Sequence, residues 1–180
     1  NEYELIEIGI TFILFSLFIK LALSPAHLWS LNVFEGSPSS SVFFFSVLTK
    51  LSIFTFLIRI CYLIFFLEKN VWDYYSAIIG VLSVFIGSFA GLWQRKLKIL
   101  LAYSSTSHMG YLLLAFSTAF LESTTIILFY FIVYMIAGTC FWSIFLLLNL
   151  KHNKDTVKYN KELGDLSLLK KSNIVLDFGI

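Results

Sequence analysis

Long apolar runs, parted by short polar ones, set the pattern of this chain. They cover about 5–34, 42–67, 72–93, 97–121 and 124–150, and a polar stretch over 151–173 separates them from a further apolar start at 174–180. A hydrocarbon core of about 30 Å needs roughly 20 helical residues, so each of the five long runs is a candidate membrane span. The runs lack apolar-polar alternation and are two to three times the length of a barrel strand, which argues against a transmembrane β-barrel. The expectation is an all-α, polytopic transmembrane bundle in one domain over 1–180: five spans and the start of a sixth. The first span is expected to break at Pro25, because an interior proline lacks an N–H and its ring clashes with the preceding turn, costing a helix about 3 kcal/mol.

Composition sharpens this picture. Apolar residues make up 58% of the chain and charged residues only 13%, far from the balance of a soluble domain. A formal net charge of +2, dispersed among apolar runs, is too small to suggest a nucleic-acid surface. The opening NEYELIE is acidic and the apolar segments recur throughout, so a signal peptide is a poor reading. Twenty phenylalanines beside abundant Leu, Ile, Tyr and Lys are the bias of an AT-rich genome, compatible with an organellar gene. Asn1 stands first, as it would in a piece of a longer polypeptide or a chain written without its initiator. Cys61 and Cys140 lie in separate apolar runs without CxxC spacing, so both are expected to be small buried core residues, with no disulfide and no metal site.

Charge also orients the spans. Alternation puts the EGSPSSS loop, the WQRKLK loop and the 151–173 connection on one side, which collects Arg95, Lys96, Lys98, Lys151, Lys154, Lys158, Lys161, Lys170 and Lys171. The other side holds Glu68, Lys69, Asp73, Glu122 and the acidic start. The positive-inside rule turns the basic side toward cytoplasm or matrix.

Ionisable groups within a span cost at least about 2.5 kcal/mol on insertion scales, so they tend to face a bundle interior or a wet path. Lys20, Lys50 and His108 are such groups. At helical rise Lys50 and His108 lie about 12 and about 17 Å below the basic surface, and Lys20 at a comparable depth. Each has a plainer reading. Lys50 can snorkel along its aliphatic stem, and His108 can serve as an interhelical hydrogen-bond donor beside Ser104, Ser105 and Ser107. Arg59, nine residues beyond Lys50 and on the opposite face, is better read as snorkelling or as half of a structural ion pair.

Lys20 is harder to dismiss, because Pro25 one turn later frees backbone carbonyls. Irregular backbone at membrane depth is tolerated only within protein or along a wet cavity, and broken helices mark ion sites in transporters. A desolvated lysine favours its neutral form and a nearby carboxylate its charged form, so moving a carboxylate switches the proton. Arginine, which stays protonated, cannot serve this way. No GxGxxG, no cysteine set for an iron-sulfur cluster and no CxxCH accompanies these groups, so electron transfer by this chain is not expected.

These residues resemble a known family. LSPAHLWSLNVFEGSP is similar to the pattern PFHxWxPDVYEGAP of the subunit-2 family of respiratory complex I, the NADH:ubiquinone oxidoreductase. SVLTKLSIF followed by Arg59 resembles that family's lysine-bearing next helix, and LKILLAYSSTSHMGYLL is similar to its KRLLAYSSIAHMGYLL stretch. KELGDLSLLKKSNIVL resembles the amphipathic lead-in to a later helix. The three motifs keep the family's order and spacing and anchor about 5–150.

The resemblance implies a partial antiporter-like fold, related to Mrp-type cation/proton antiporters, in a membrane-arm subunit that takes part in proton translocation. Lys20 matches the lysine of the family's broken seventh helix, which pairs with a glutamate on the fifth. Lys50 matches the eighth-helix lysine that links two half-channels, and His108 falls in the matching motif of the tenth. The implied setting is the mitochondrial inner membrane with basic loops on the matrix side. The implied partners are other membrane-arm subunits, one of them supplying missing helices and a glutamate near Lys20, together with membrane lipids and no nucleic acid. No cofactor is expected on this chain; NADH, FMN, iron-sulfur clusters and ubiquinone are used elsewhere in such a complex.

Departures from the pattern matter too. Nothing here matches the first six helices, including the one bearing the glutamate, and the chain stops at the threshold of the twelfth. A split gene of a protist mitochondrion, or a part of one longer subunit, is the expectation. Leu31 and Asn32 stand where the family has Pro-Asp, which removes a carboxylate near the basic side. Two other readings stay open: a subunit of a free-standing sodium/proton antiporter, and a scaffold without an active proton path. Retention of both Lys20 and Lys50 weighs against the scaffold, since an apolar residue at either site would gain membrane stability.

Overall fold

The computed structural model describes residues 2–65, 68–118 and 121–152. Among them the chain forms six α-helices: α1 (Glu2–Lys20), α2 (Leu28–Gly36), α3 (Ser39–Leu63), α4 (Lys69–Leu92), α5 (Leu97–Ser117) and α6 (Leu121–His152). Segments Ser39–Leu63, Lys69–Leu92, Leu97–Ser117 and Thr125–Leu146 are long and apolar enough to cross a membrane. The first apolar run divides into α1 and α2, and α1 opens with Glu2, Glu4 and Glu7, so no single helix of that quality stands there. The polar 151–173 connection, apart from the end of α6, and the apolar start at 174–180 lie outside the described residues.

Local chemistry explains the helix ends. Pro25 cannot donate to the carbonyl four residues earlier, and its ring clashes there. That carbonyl belongs to Leu21, and α1 accordingly ends at Lys20. Ser37 precedes Pro38 and is extended at φ −91°, ψ 154°, which ends α2. Pro38, also extended, opens α3. At the same end of the bundle Lys96 pairs with Glu35, and Lys98 Nζ donates to the Ser37 carbonyl at 2.9 Å. These two contacts tie the end of α2 and the turn after it to the start of α5.

Two apolar clusters fill the bundle. The larger packs Leu14, Leu17 and Phe18 of α1 with Phe54, Leu57, Met109, Phe116 and Phe131, and Trp72 stacks on Phe116 with ring centres 4.8 Å apart. The smaller joins Phe34, Val42, Val47, Leu97, Ala102, Trp142 and Phe145 near the Lys96–Glu35 end. Along α3 the clusters meet between Val47 and Phe54, and along α5 between Ala102 and Met109. The residues in those gaps include Lys50, Ser105 and Thr106, all buried. A polar layer therefore crosses the middle of the bundle.

Helices α4 and α5 pack most closely of all pairs. Glycine permits this: a Cβ on Gly87 would lie 2.4 Å from Ser107 Oγ and 2.9 Å from Ser107 N, and one on Gly110 would lie 2.9 Å from the Gly80 carbonyl. Elsewhere the outer faces are apolar, with Phe12, Phe85, Phe89, Ile126 and Phe129 exposed, as a membrane-facing bundle requires. Cys61 is buried, but Cys140 is exposed, which corrects the expectation that both are core residues. It sits on the outward side of α6, where apolar character suits contact with acyl chains as well as it suits a core. Arg59 lies on the exposed side of α3, away from the buried stripe of Val42, Ser46, Lys50, Phe54, Leu57 and Cys61.

Candidate functional site: a polar layer and a broken helix

Lys50 occupies the centre of the buried α3 stripe and is 4% exposed. Its Nζ donates to Ser105 Oγ at 2.7 Å, and that hydroxyl donates to the Ala102 carbonyl at 2.7 Å. Snorkelling is thereby ruled out for Lys50, because its head group points across to α5. On α6 the hydroxyl of Tyr134 donates to the Ser46 carbonyl at 3.3 Å. One turn along α5, His108 Nδ1 lies 2.7 Å from the Tyr130 hydroxyl, and its ring lies 5.4 Å from that of Tyr134.

A cavity of about 280 Å³ opens beside this cluster, lined by Ser46, Ser104, Ser105, His108, Tyr130 and Tyr134 among others. Val47, Leu101, Val133, Phe141 and Trp142 make most of its wall apolar, and the hydroxyls and the imidazole form one polar side at which water can bind. Lysine, serine, histidine and tyrosine all carry exchangeable protons, so the arrangement can pass a proton between α3, α5 and α6. The tyrosines on α6 escaped the sequence reading. Their four-residue spacing places both on one helix face, but in an aromatic-rich run nothing distinguishes them from membrane anchors.

The second element of the site is the segment between α1 and α2. Ala22 adopts φ 58°, and the Ser24–Pro25 peptide is cis. Backbone groups around the break find side-chain partners on three helices. The Ser24 N–H donates to Ser83 Oγ of α4 at 3.0 Å. Thr106 of α5 reaches the Ala22 carbonyl at 3.4 Å, and Trp29 Nε1 of α2 donates to the Ile19 carbonyl at 2.9 Å. Ser24 Oγ and His27 Nδ1 are buried without a hydrogen-bond partner among the described residues.

Lys20, the last residue of α1, is exposed on the outer side, and its side chain makes no hydrogen bond or ion pair among the described residues. The structure thus brings Lys50 and His108 to one cluster and leaves Lys20 apart, on the far side of the break. Among the described residues no group of three or more metal-ligating side chains forms.

Comparison with known proteins agrees with this architecture. The family model described as NADH:quinone oxidoreductase/Mrp antiporter, transmembrane, matches residues 1–175. NADH-quinone oxidoreductase subunit N of Pelagibacter ubique is 34% identical over 172 residues, which are 96% of this chain and 36% of that protein. NADH-ubiquinone oxidoreductase chain 2 of Marchantia polymorpha is 33% identical over 171 residues, 95% of this chain and 33% of that protein. Among solved structures, respiratory complex I from Thermus thermophilus with bound aureothin contains a chain that matches with a TM-score of 0.57 and 31% identity, over 74% of this chain and 29% of its own. This chain spans about a third of the length of the relatives it matches. Matched over nearly its whole length and built of membrane-length helices, the chain is a multi-pass membrane protein and belongs to the NADH:quinone oxidoreductase/Mrp antiporter transmembrane family.

Proposed function

We propose that this chain takes part in proton translocation as a membrane-arm component of a proton-translocating NADH:quinone oxidoreductase in the mitochondrial inner membrane, with its basic loops on the matrix side. The observation that carries this reading is a lysine 4% exposed in mid-bundle, held by Ser105 and set beside a cavity whose polar side is formed by serines, His108 and two tyrosines. A buried lysine is costly and confers no packing advantage over an aliphatic residue, so its retention speaks for proton chemistry. Lys50 and His108 serve as relay groups, linked through hydroxyls and cavity water. Lys20 at the break is the proton carrier tuned by a carboxylate that a neighbouring segment or subunit supplies. The chain moves protons and not electrons; NADH, FMN, iron-sulfur clusters and ubiquinone act elsewhere in the complex, and lipids cover its remaining outer faces.

Two substitutions test this reading. Lys20→Ala and Lys50→Arg should each lower the number of protons moved per NADH oxidised while the isolated NADH-oxidising module keeps its rate. Arginine preserves the charge of Lys50 but cannot release its proton. A native proton-to-electron ratio in both variants would refute the assigned roles. A free-standing antiporter is the other family-level possibility, and copurification of the chain with NADH dehydrogenase activity decides between the two.

A further inference from the structure

The break between α1 and α2 is held by side chains that the proposed proton route does not use, and the geometry points to Thr106 and Ser83 as positioning residues that clamp it. This inference rests on the reading of Lys20 and Lys50 as proton carriers. Ala22 at φ 58° is in the left-handed region, which a residue with a Cβ occupies only where its surroundings enforce it. Ser83 supplies one restraint. It accepts the Ser24 N–H at 3.0 Å while its own hydroxyl donates to the Ile79 carbonyl at 2.7 Å. Thr106 supplies the other, and its geometry is ambivalent. Its single hydroxyl proton faces two acceptors, the Ala102 carbonyl of its own helix at 3.1 Å and the Ala22 carbonyl of the break at 3.4 Å. One proton cannot serve both fully. Both hydroxyl residues are 0% exposed, so bulk water does not compete for them.

Thr106 is thus a latch with two settings, closed on the break or folded back on α5. Its place gives the latch a purpose. Ser105, the partner of Lys50, is the preceding residue, and Ala102 accepts from Ser105 and Thr106 alike. A change in the bond from Lys50 to Ser105 alters the demand on the Ala102 carbonyl, and with it the setting of Thr106. Ala22, held or released by that setting, is two residues from Lys20. The clamp is a physical link of shared acceptors between the buried lysine and the broken helix, the kind of contiguous two-setting element through which coupling travels.

The test is made in the intact complex containing this chain, with amide hydrogen exchange over 21–24 and the proton-to-electron ratio read together. Thr106→Val, close in shape but without the hydroxyl, should raise exchange over 21–24 by about two- to tenfold, the fold-change of one ordinary hydrogen bond, and lower the ratio. Thr106→Ser should restore both. If Thr106→Val prevents assembly, Ser83→Ala replaces it, with the same rise expected at the Ser24 amide. Native exchange in Thr106→Val or Ser83→Ala, or a Thr106→Ser variant as impaired as Thr106→Val, would overturn the clamp. The two readings fail separately. Lys50→Arg with a native ratio removes the proton role while exchange still reports on the clamp. Lys50→Arg without translocation, beside native exchange in Thr106→Val, removes the clamp alone.

Discussion

At the scale of single residues, Lys50 sets stability against use. Among the described residues its Nζ has one side-chain hydrogen-bond partner, a neutral serine at 2.7 Å, in the middle of an apolar bundle. A buried amine with a single neutral partner carries a desolvation cost that an apolar side chain of similar volume does not. Lys50→Met should therefore leave the thermal midpoint of the assembled complex unchanged or raised, while proton translocation falls. A lowered midpoint would mean that the lysine is a structural tie. Tyr130→Phe probes the other arm of the cluster. It leaves His108 Nδ1 without its 2.7 Å partner, which should cost about 1 kcal/mol and slow proton transfer without altering assembly.

The depth of these groups was legible because charge inside an apolar run is conspicuous. Their partners were not. Ser105 is 55 positions from Lys50, and Tyr130 is 22 from His108, separations that no helical periodicity links. Ser83, Thr106 and His27 were hidden for a different reason. Hydroxyls and a lone histidine in membrane helices are commonly interhelical glue, and only the folded break shows which of them meet unpaired backbone.

Among elements, the seam between α4 and α5 governs the site. Ser83 and Thr106 reach the break from these two helices, and their axes come close because Gly80, Gly87 and Gly110 remove side chains at the contact. Gly87→Ala would put a Cβ within 2.4 Å of Ser107 Oγ and 2.9 Å of the Ser107 backbone nitrogen, and the backbone atom cannot rotate away. Overpacking of this kind typically costs about 1–3 kcal/mol. The expected result is a lowered thermal midpoint together with faster amide exchange over 21–24, since parting the helices withdraws both clamps. Gly9 has no atom within 4 Å of an added Cβ, so Gly9→Ala is the matched control and should change neither. At this scale the sequence reading located the break through Pro25. It placed the interruption at the proline itself, whereas the missing donor and the ring clash act four residues back and stop α1 at Lys20.

For the molecule as a whole, the outer surface poses the sharpest question. It is apolar nearly everywhere, with Ile19 47% exposed beside Lys20, yet Lys20 lies on that surface as well. An ammonium facing acyl chains in mid-membrane costs at least about 2.5 kcal/mol. Contact with lipid alone cannot explain its retention, and the described residues offer it no acid. The matched relatives are about three times as long as this chain, so they carry further segments of the kind that covers such a face. A carboxylate on the covering segment would hold the lysine charged, and withdrawing it would release the proton, the switch that the break makes mechanically possible. Carbodiimide activation of the intact complex should therefore couple Lys20 Nζ directly to an Asp or Glu of a neighbouring membrane segment, detectable as a cross-linked peptide pair. Lys20→Arg should abolish that product, because a guanidinium forms no such amide, while a carboxylate-free neighbour giving no cross-link in the native complex would leave Lys20 without its switch.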